Sequence, residues 1–123
     1  MTDVRIVLGS VFAPPDDPVT RLLVARQWPR GVVRGAVDQW EPQLGPASAL
    51  DDLDAARFAE AYRAQLLARP SLLDWAARMA TNNGVALLCA SPEATHLSPE
   101  AHLDQSCHVA TLAEVLRERI AAS

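Results

Sequence analysis

The amino-acid sequence predicts a small α/β fold in three layers, with a short, mostly parallel sheet flanked by helices, as in Rossmann-like folds. Two patterns carry this prediction. Short runs that are apolar throughout, typical of strands covered on both faces, alternate with segments whose apolar residues recur every three or four positions. The chain has 123 residues without a repeat or a linker, so we expect a single domain over residues 1–123.

Three segments are predicted to be strands. Residues 5–12 and 20–25 form the first two, and Val85–Cys89 forms the third. The second contains Leu22, Leu23 and Val24, an apolar run of the kind found at the centre of a sheet. Residues 13–18, which include three prolines, are predicted to form a connecting loop.

The helices are predicted from capping signals and periodicity. The first begins at Asp52 or Asp54 and runs to about residue 68, because acidic residues suit the positive end of the helix dipole. Ser71 and Asp74 resemble a capping box for the second. Its stop is Asn82-Asn83-Gly84.

The last helix is predicted to open at Cys107 or Thr111. Residues 29–50, rich in Gly and Pro, are predicted to be irregular, with a turn or short helical piece at Trp40-Glu41, and are a candidate lid or pocket wall. The residues expected to face inward are Ala55, Phe58, Ala59, Tyr62 and Leu66 in the first helix, Leu72, Trp75, Ala76 and Met79 in the second, and Val109, Leu112, Val115, Leu116 and Ile120 in the last.

Composition restricts the function. The net charge of −4 argues against non-specific binding of nucleic acid, which requires a basic surface. No apolar run approaches the ~20 residues of a membrane span, and residues 1–5 lack signal-peptide features, so we expect a cytoplasmic protein. All eleven basic residues are Arg, which excludes lysine-based Schiff-base chemistry. Two cysteines argue against a disulfide scaffold. The cofactor stays unassigned.

Arg26, Trp28 and Arg30 form the first candidate site. In an extended segment alternate residues point to the same side, so two guanidinium groups flank an indole at the end of a strand. They suit an anion such as a phosphate or a carboxylate, and the indole suits stacking on a planar ligand or on a guanidinium. The alternative is that Trp28 belongs to the core and that the arginines pair with Asp38 or Asp16.

Val24-Ala25-Arg26-Gln27-Trp28-Pro29-Arg30-Gly31 resembles the V-D-R-x-W-P-R-G motif of the YeaO-like branch of the DUF488 family. Pro29 makes its own turn rigid, and Gly31 permits a positive φ. The likeness implies an α/β fold without implying an agreed activity. It continues through Trp40, Leu44, Pro46, Phe58, Tyr62, Leu66 and Val85 to Leu88, and ends at Cys107 and His108.

Cys107 and His108 form the second candidate site. A thiol at a helix N-terminus beside a protonated imidazole has a lowered pKa, so Cys107 is the candidate nucleophile and His108 the candidate base. The alternatives are an idle thiol at Cys107 and, for Cys89, a small buried side chain. Many DUF488 proteins carry L-L-C and a later C-H-R, similar to Leu87-Leu88-Cys89 and Cys107-His108-Val109 here. The YeaO-like branch instead has N-H-A, and His108 is common to both patterns, so the resemblance favours His108.

A metal site is the weaker interpretation. Cys89, His96, His102, Cys107 and His108 offer sulfur and imidazole ligands, which suit zinc. Their spacing matches no zinc-finger signature. We therefore predict no metal.

Two hypotheses remain open. The first is a small enzyme that binds an anionic small molecule at Arg26, Trp28 and Arg30, with Cys89 beside it, and uses Cys107 or His108. The second is a catalytically degenerate binding module, motivated by family polar residues replaced here by Ala25, Pro42, Ala47 and the run Asp51, Asp52 and Asp54. For this module a homodimer through Val109, Leu112 and Leu116 is considered. Both require that the two candidate sites share one crevice.

Overall fold

The structure is a computed structural model that describes residues 4–12, 16, 18–47, 50, 53–90 and 108–122. Its centre is a four-stranded sheet in which each pair of neighbours runs parallel. The strands are β1 (Ile6–Ser10), β2 (Thr20–Leu23), β3 (Gln39–Trp40) and β4 (Val85–Cys89), in the order β1-β4-β2-β3. The predicted α/β fold with a parallel sheet is confirmed.

The central strand β4 is buried along its whole length, as its continuous apolar run predicts. Val85 and Leu87 face one core cluster, whereas Ala86 and Leu88 face the other, because successive side chains of a strand point to opposite faces. Leu22 and Leu23 of β2 are divided between the two clusters in the same way. The sheet is therefore covered on both faces.

Three α-helices pack on the first face: α1 (Ala55–Leu67), α2 (Pro70–Asn82) and α3 (His108–Ala122). Asp54 caps α1 by accepting a hydrogen bond from the Arg57 N–H at 2.9 Å, which confirms the second of the two predicted starts. After α2, Gly84 has a φ of +90° and a Cβ there would lie 2.7 Å from Val19, so the predicted stop is confirmed on both grounds.

The predicted capping box of α2 is wrong. The helix begins at Pro70, whose ring fixes the φ required at a first helical position, and the Arg69 N-cap has no side-chain hydrogen bond. Asp74 accepts a hydrogen bond from Arg119 Nε at 2.6 Å instead, and this bond lowers the pKa of its carboxyl group. Ala76 is fully buried as predicted, and so are Leu73 and Ala80, which the pattern missed.

The apolar stripe of α3 is not a free surface. Val109, Leu112 and Leu116 are fully buried in the chain's own core against α1 and the sheet. The expectation that these residues form an exposed apolar surface is therefore wrong, because the chain itself covers them, and a homodimer stays a prediction.

An irregular segment, residues 28–37, packs on the second face of the sheet. Trp28, Val32, Ala36 and Val37 are half-buried against Leu23, Ala86 and Leu88, together with Trp40. This segment contains a short 3-10 turn, Arg34–Ala36, and a second 3-10 turn, Pro42–Leu44, follows. Within the described ranges, loop residues rather than an α-helix cover this face. Most of this loop belongs to residues 29–50, the segment predicted to be a lid or pocket wall.

Trp40 lies in β3, so the turn or short helical piece predicted at Trp40-Glu41 is wrong for Trp40, whereas Glu41 is the N-cap of the 3-10 turn Pro42–Leu44. The Asp38 N–H donates to the Arg21 carbonyl at 2.9 Å, and the Glu41 N–H donates to the Leu23 carbonyl at 3.0 Å. The Asp38 carboxylate also accepts from the Arg21 guanidinium and its backbone N–H, and both bonds lower the pKa of Asp38. A two-residue strand held by such contacts leaves no periodic pattern in the sequence.

Of the helices that the structure describes, each is too short or too polar to cross a lipid bilayer.

Candidate functional site

A cavity of about 600 Å³ opens at the edge of the sheet where the strands end. Phe12, Ala25 and Ala90 line it, and they follow β1, β2 and β4 respectively. In open parallel sheets the carboxyl ends of the strands are where ligands bind. The cavity therefore lies at the position that the fold class favours for a site.

The predicted residues from the two ends of the chain meet in this cavity. Arg26, Trp28 and Arg30 line it together with His108, the first residue of α3. Both arginines are exposed. Of the two predicted alternative partners, Asp38 is held by Arg21, and pairing with Asp16 stays a prediction. Gln27, Pro29 and Pro46 complete the wall.

Of the two cysteines predicted as site residues, the structure describes Cys89 and not Cys107. Cys89, at the end of β4, is 2% exposed and packs in the first core cluster, as its structural alternative predicts. The cavity is lined by its neighbour Ala90. Cys107 lies outside the described residues, as do His96 and His102. In the described part of the chain, no three His, Cys, Asp or Glu side chains are grouped to hold a metal ion.

Trp28 is held in a fixed orientation. Its Nε1–H donates to the Val32 carbonyl at 2.9 Å, and its ring meets Trp40 edge-on with centroids 5.5 Å apart. The guanidinium of Arg34 lies 4.9 Å from the centre of the Trp28 ring. The predicted stacking of a guanidinium on this indole is thus observed, but the guanidinium belongs to Arg34. The spacing of residues in the irregular segment does not predict a role for Arg34.

Two side chains bind the backbone carbonyls that follow β2. His108 Nε2–H donates to the Val24 carbonyl, and Trp40 Nε1–H donates to the Ala25 carbonyl at 2.8 Å. A carbonyl oxygen only accepts, so Nε2 carries the proton and Nδ1 is the basic nitrogen of the neutral ring. These bonds fix the direction in which the chain enters Arg26.

His108 also links two helices to this corner. Its ring meets the buried Tyr62 ring of α1 edge-on, with centroids 5.5 Å apart. The Tyr62 hydroxyl in turn donates to the Leu44 carbonyl. The backbone at Val24 and the loop at Leu44 are therefore bound to two side chains that contact each other, one from α3 and one from α1.

Gly45 packs directly against the backbone of the arginine-bearing segment. A Cβ at this position would lie 2.6 Å from the Arg26 nitrogen and 2.8 Å from the Ala25 carbonyl carbon. Its φ of −79° is open to any residue, so the constraint is steric. Gln65 holds this loop, because its Nε2–H donates to the Gly45 carbonyl at 2.8 Å and its Oε1 accepts from the Ala47 N–H at 2.9 Å.

Neither Gly45 nor Gln65 is predicted as a site residue from the sequence. The Gly45-Pro46 dipeptide signals a turn, but a close approach to residues 25 and 26 is visible only in three dimensions. Gln65 is a polar residue on a half-buried helix position, a weak signal in one sequence.

Comparison with family models bears on the resemblance to DUF488. Residues 8–120 match a model described as the active DUF488-N3 subclade. The chain belongs to the DUF488 family. The more specific YeaO-like assignment is compatible with this match and stays a prediction. Searches of curated proteins and of solved structures gave no match.

We predict that Gly45→Ala loosens the corner that carries Arg26. The added methyl group must displace backbone, which costs about 1–3 kcal/mol in the free energy of unfolding. Trp40 donates to the neighbouring Ala25 carbonyl, so tryptophan fluorescence should also change. Chemical denaturation followed by fluorescence measures both.

Gly35→Ala is the matched control, because a Cβ at Gly35 meets nothing within 4 Å. It should change the free energy of unfolding by no more than about 0.5 kcal/mol. Equal effects of the two substitutions would show that Gly45 does not support this segment.

Proposed function

We propose that the cavity at the carboxyl edge of the sheet binds an anionic small molecule, bearing a phosphate or a carboxylate, through Arg26 and Arg30. The observation that carries this proposal is that these two arginines, Trp28 and His108 line one cavity of about 600 Å³. Guanidinium groups form charge-assisted, often paired hydrogen bonds with such anions. The volume is in the range of small-molecule sites.

The electrostatics of the cavity rim support an anion. Of the residues that the structure describes, the first turn of α3, which contains His108, carries no acidic side chain. Against a net charge of −4 for the chain, two arginines that line a cavity together with His108 make a local positive region. A local site of this kind suits a small anion rather than a nucleic-acid backbone.

The proposed activity is that of a small enzyme. His108 would accept or deliver a proton through Nδ1, the nitrogen left basic by the hydrogen bond from Nε2–H to Val24. Cys107, its neighbour in the chain, would be the nucleophile. The family model that matches is described as an active subclade, which favours an enzyme over the degenerate binding module. A partner contact through α3 loses its support because the stripe of that helix is buried.

Removing the two arginine charges should weaken anion binding strongly. We expect Arg26→Gln with Arg30→Gln to weaken the binding of a simple phosphoester by about two orders of magnitude, because each charge-assisted bond contributes about 1.5–3 kcal/mol. Isothermal titration calorimetry with phenyl phosphate measures the change in Kd.

The control removes the same charge elsewhere. Arg78 lies near the start of β2 beside Thr20, and Arg117 is exposed on α3, so Arg78→Gln with Arg117→Gln should leave Kd within about twofold of the wild type. If both double variants weaken binding equally, only the net charge matters and the proposed site is wrong.

The catalytic part of the proposal predicts a reactive thiol. We expect the pKa of Cys107 to lie well below the ~8.5 of a free thiol and to rise in His108→Gln, whose amide can still donate to Val24. The rate of iodoacetamide labelling as a function of pH, with peptide mapping, measures this pKa. Buried Cys89 serves as the internal control. Equally slow labelling of Cys107 in both proteins would remove the thiol from the mechanism and favour the binding module.

A further inference from the structure

We propose that the ligand of this cavity is an anion attached to a planar aromatic body, with the ring held between Phe12 and Trp28 and the anionic group at Arg26 and Arg30. The inference rests on the proposed function and adds to it the chemical class of the ligand. It concerns the lining residues of the cavity other than the arginines.

The cavity is much larger than an anionic group requires. A phosphate or carboxylate group has roughly the volume of a few water molecules of ~30 Å³ each, whereas the cavity measures about 600 Å³. Apart from the arginines, Gln27 and His108, the lining residues are apolar, and they include Phe12, Trp28, Pro29 and Pro46. A ligand that fills it therefore carries an apolar body beside its charge.

Two aromatic side chains contribute to this wall. Phe12 comes from the chain just after β1, and Trp28 from the irregular segment after β2. Aromatic rings attract one another in offset-stacked or edge-to-face contact, with centroids about 4.5–7 Å apart. Phe12 and Trp28 therefore offer two aromatic surfaces to a planar ring in the cavity.

Both aromatic residues are attached to fixed backbone. The Val11 N–H donates to the Cys89 carbonyl at 2.9 Å, and the Phe12 N–H donates to the Ser10 hydroxyl at 3.2 Å, yet the Phe12 residue is 44% exposed. Trp28 is fixed by its bond to Val32 and by the Arg34 guanidinium near its ring. A pre-organised aromatic side chain such as Trp28 loses little conformational entropy when a ring binds. Contact with the ring of a ligand would explain why an exposed Phe lines the cavity.

The test compares ligands that share the anion and differ in the ring. Calorimetry is done on the wild type with phenyl phosphate, ethyl phosphate, adenosine monophosphate and adenosine. We expect phenyl phosphate to bind about tenfold more tightly than ethyl phosphate. Phe12→Leu, which keeps an apolar side chain, should reduce that ratio to about twofold, and Phe12→Tyr should preserve it. Leu67→Ala, which removes an exposed apolar side chain on α1, is the control and should leave the ratio unchanged.

The outcomes separate this inference from the proposed function. Equal binding of phenyl and ethyl phosphate would overturn the aromatic class and leave the anion site intact. Adenosine binding as tightly as adenosine monophosphate would overturn both, since the anion would then contribute nothing. A lack of binding by all four compounds at millimolar concentration would also overturn both. Where the ring preference holds, tighter binding of adenosine monophosphate than of phenyl phosphate assigns a nucleotide, and the reverse order assigns a simple aryl anion.

Discussion

The candidate site depends on how the protein satisfies two backbone carbonyls just beyond the end of β2. Val24 and Ala25 are buried and follow β2, which ends at Leu23, and the Val24 N–H still donates to the Leu88 carbonyl of β4 at 3.0 Å. A buried carbonyl left without a donor costs about 1–3 kcal/mol. His108 and Trp40 supply the donors, one from the start of α3 and one from β3. The requirement for hydrogen bonding therefore draws distant parts of the chain to one point.

The same contacts orient the groups that face the cavity. The chain leaves the Val24 and Ala25 peptides in one direction, and the next residues along it are Arg26, Trp28 and Arg30. Gly45 packs against the backbone of Ala25 and Arg26 so closely that a side chain would not fit. The Nε2–H of His108 donates to the Val24 carbonyl, so Nδ1 is the basic nitrogen of the neutral ring. Support of the fold and preparation of a proton-transfer group are thus combined in one side chain.

The sequence predicts those parts of the fold in which burial imposes a regular spacing of apolar residues along the chain. The continuous apolar run of β4 and the stripes of α1 and α3 are found as predicted, because both record which faces are covered. β3 was missed because two residues are too few to show alternation, and its pairing depends on backbone bonds and on Arg21 with Asp38. The start of α2 was misplaced because Pro70, rather than a capping side chain, defines it.

Prediction of the site follows a similar division. The meeting of Arg26 and His108 was predictable, since a parallel sheet brings the ends of its strands to one edge. Arg34, Gly45 and Gln65 act through contacts between residues far apart in the chain or in irregular segments, and no local pattern encodes those.

The hydrogen bond between His108 and the Val24 carbonyl is the central claim, and nitrogen-15 NMR of the imidazole ring tests it most directly. The account predicts that the neutral ring of His108 is protonated at Nε2 and unprotonated at Nδ1, with a scalar coupling from Nε2 across the hydrogen bond to the Val24 carbonyl carbon. A ring protonated at Nδ1, or an even mixture of the two tautomers, would contradict it.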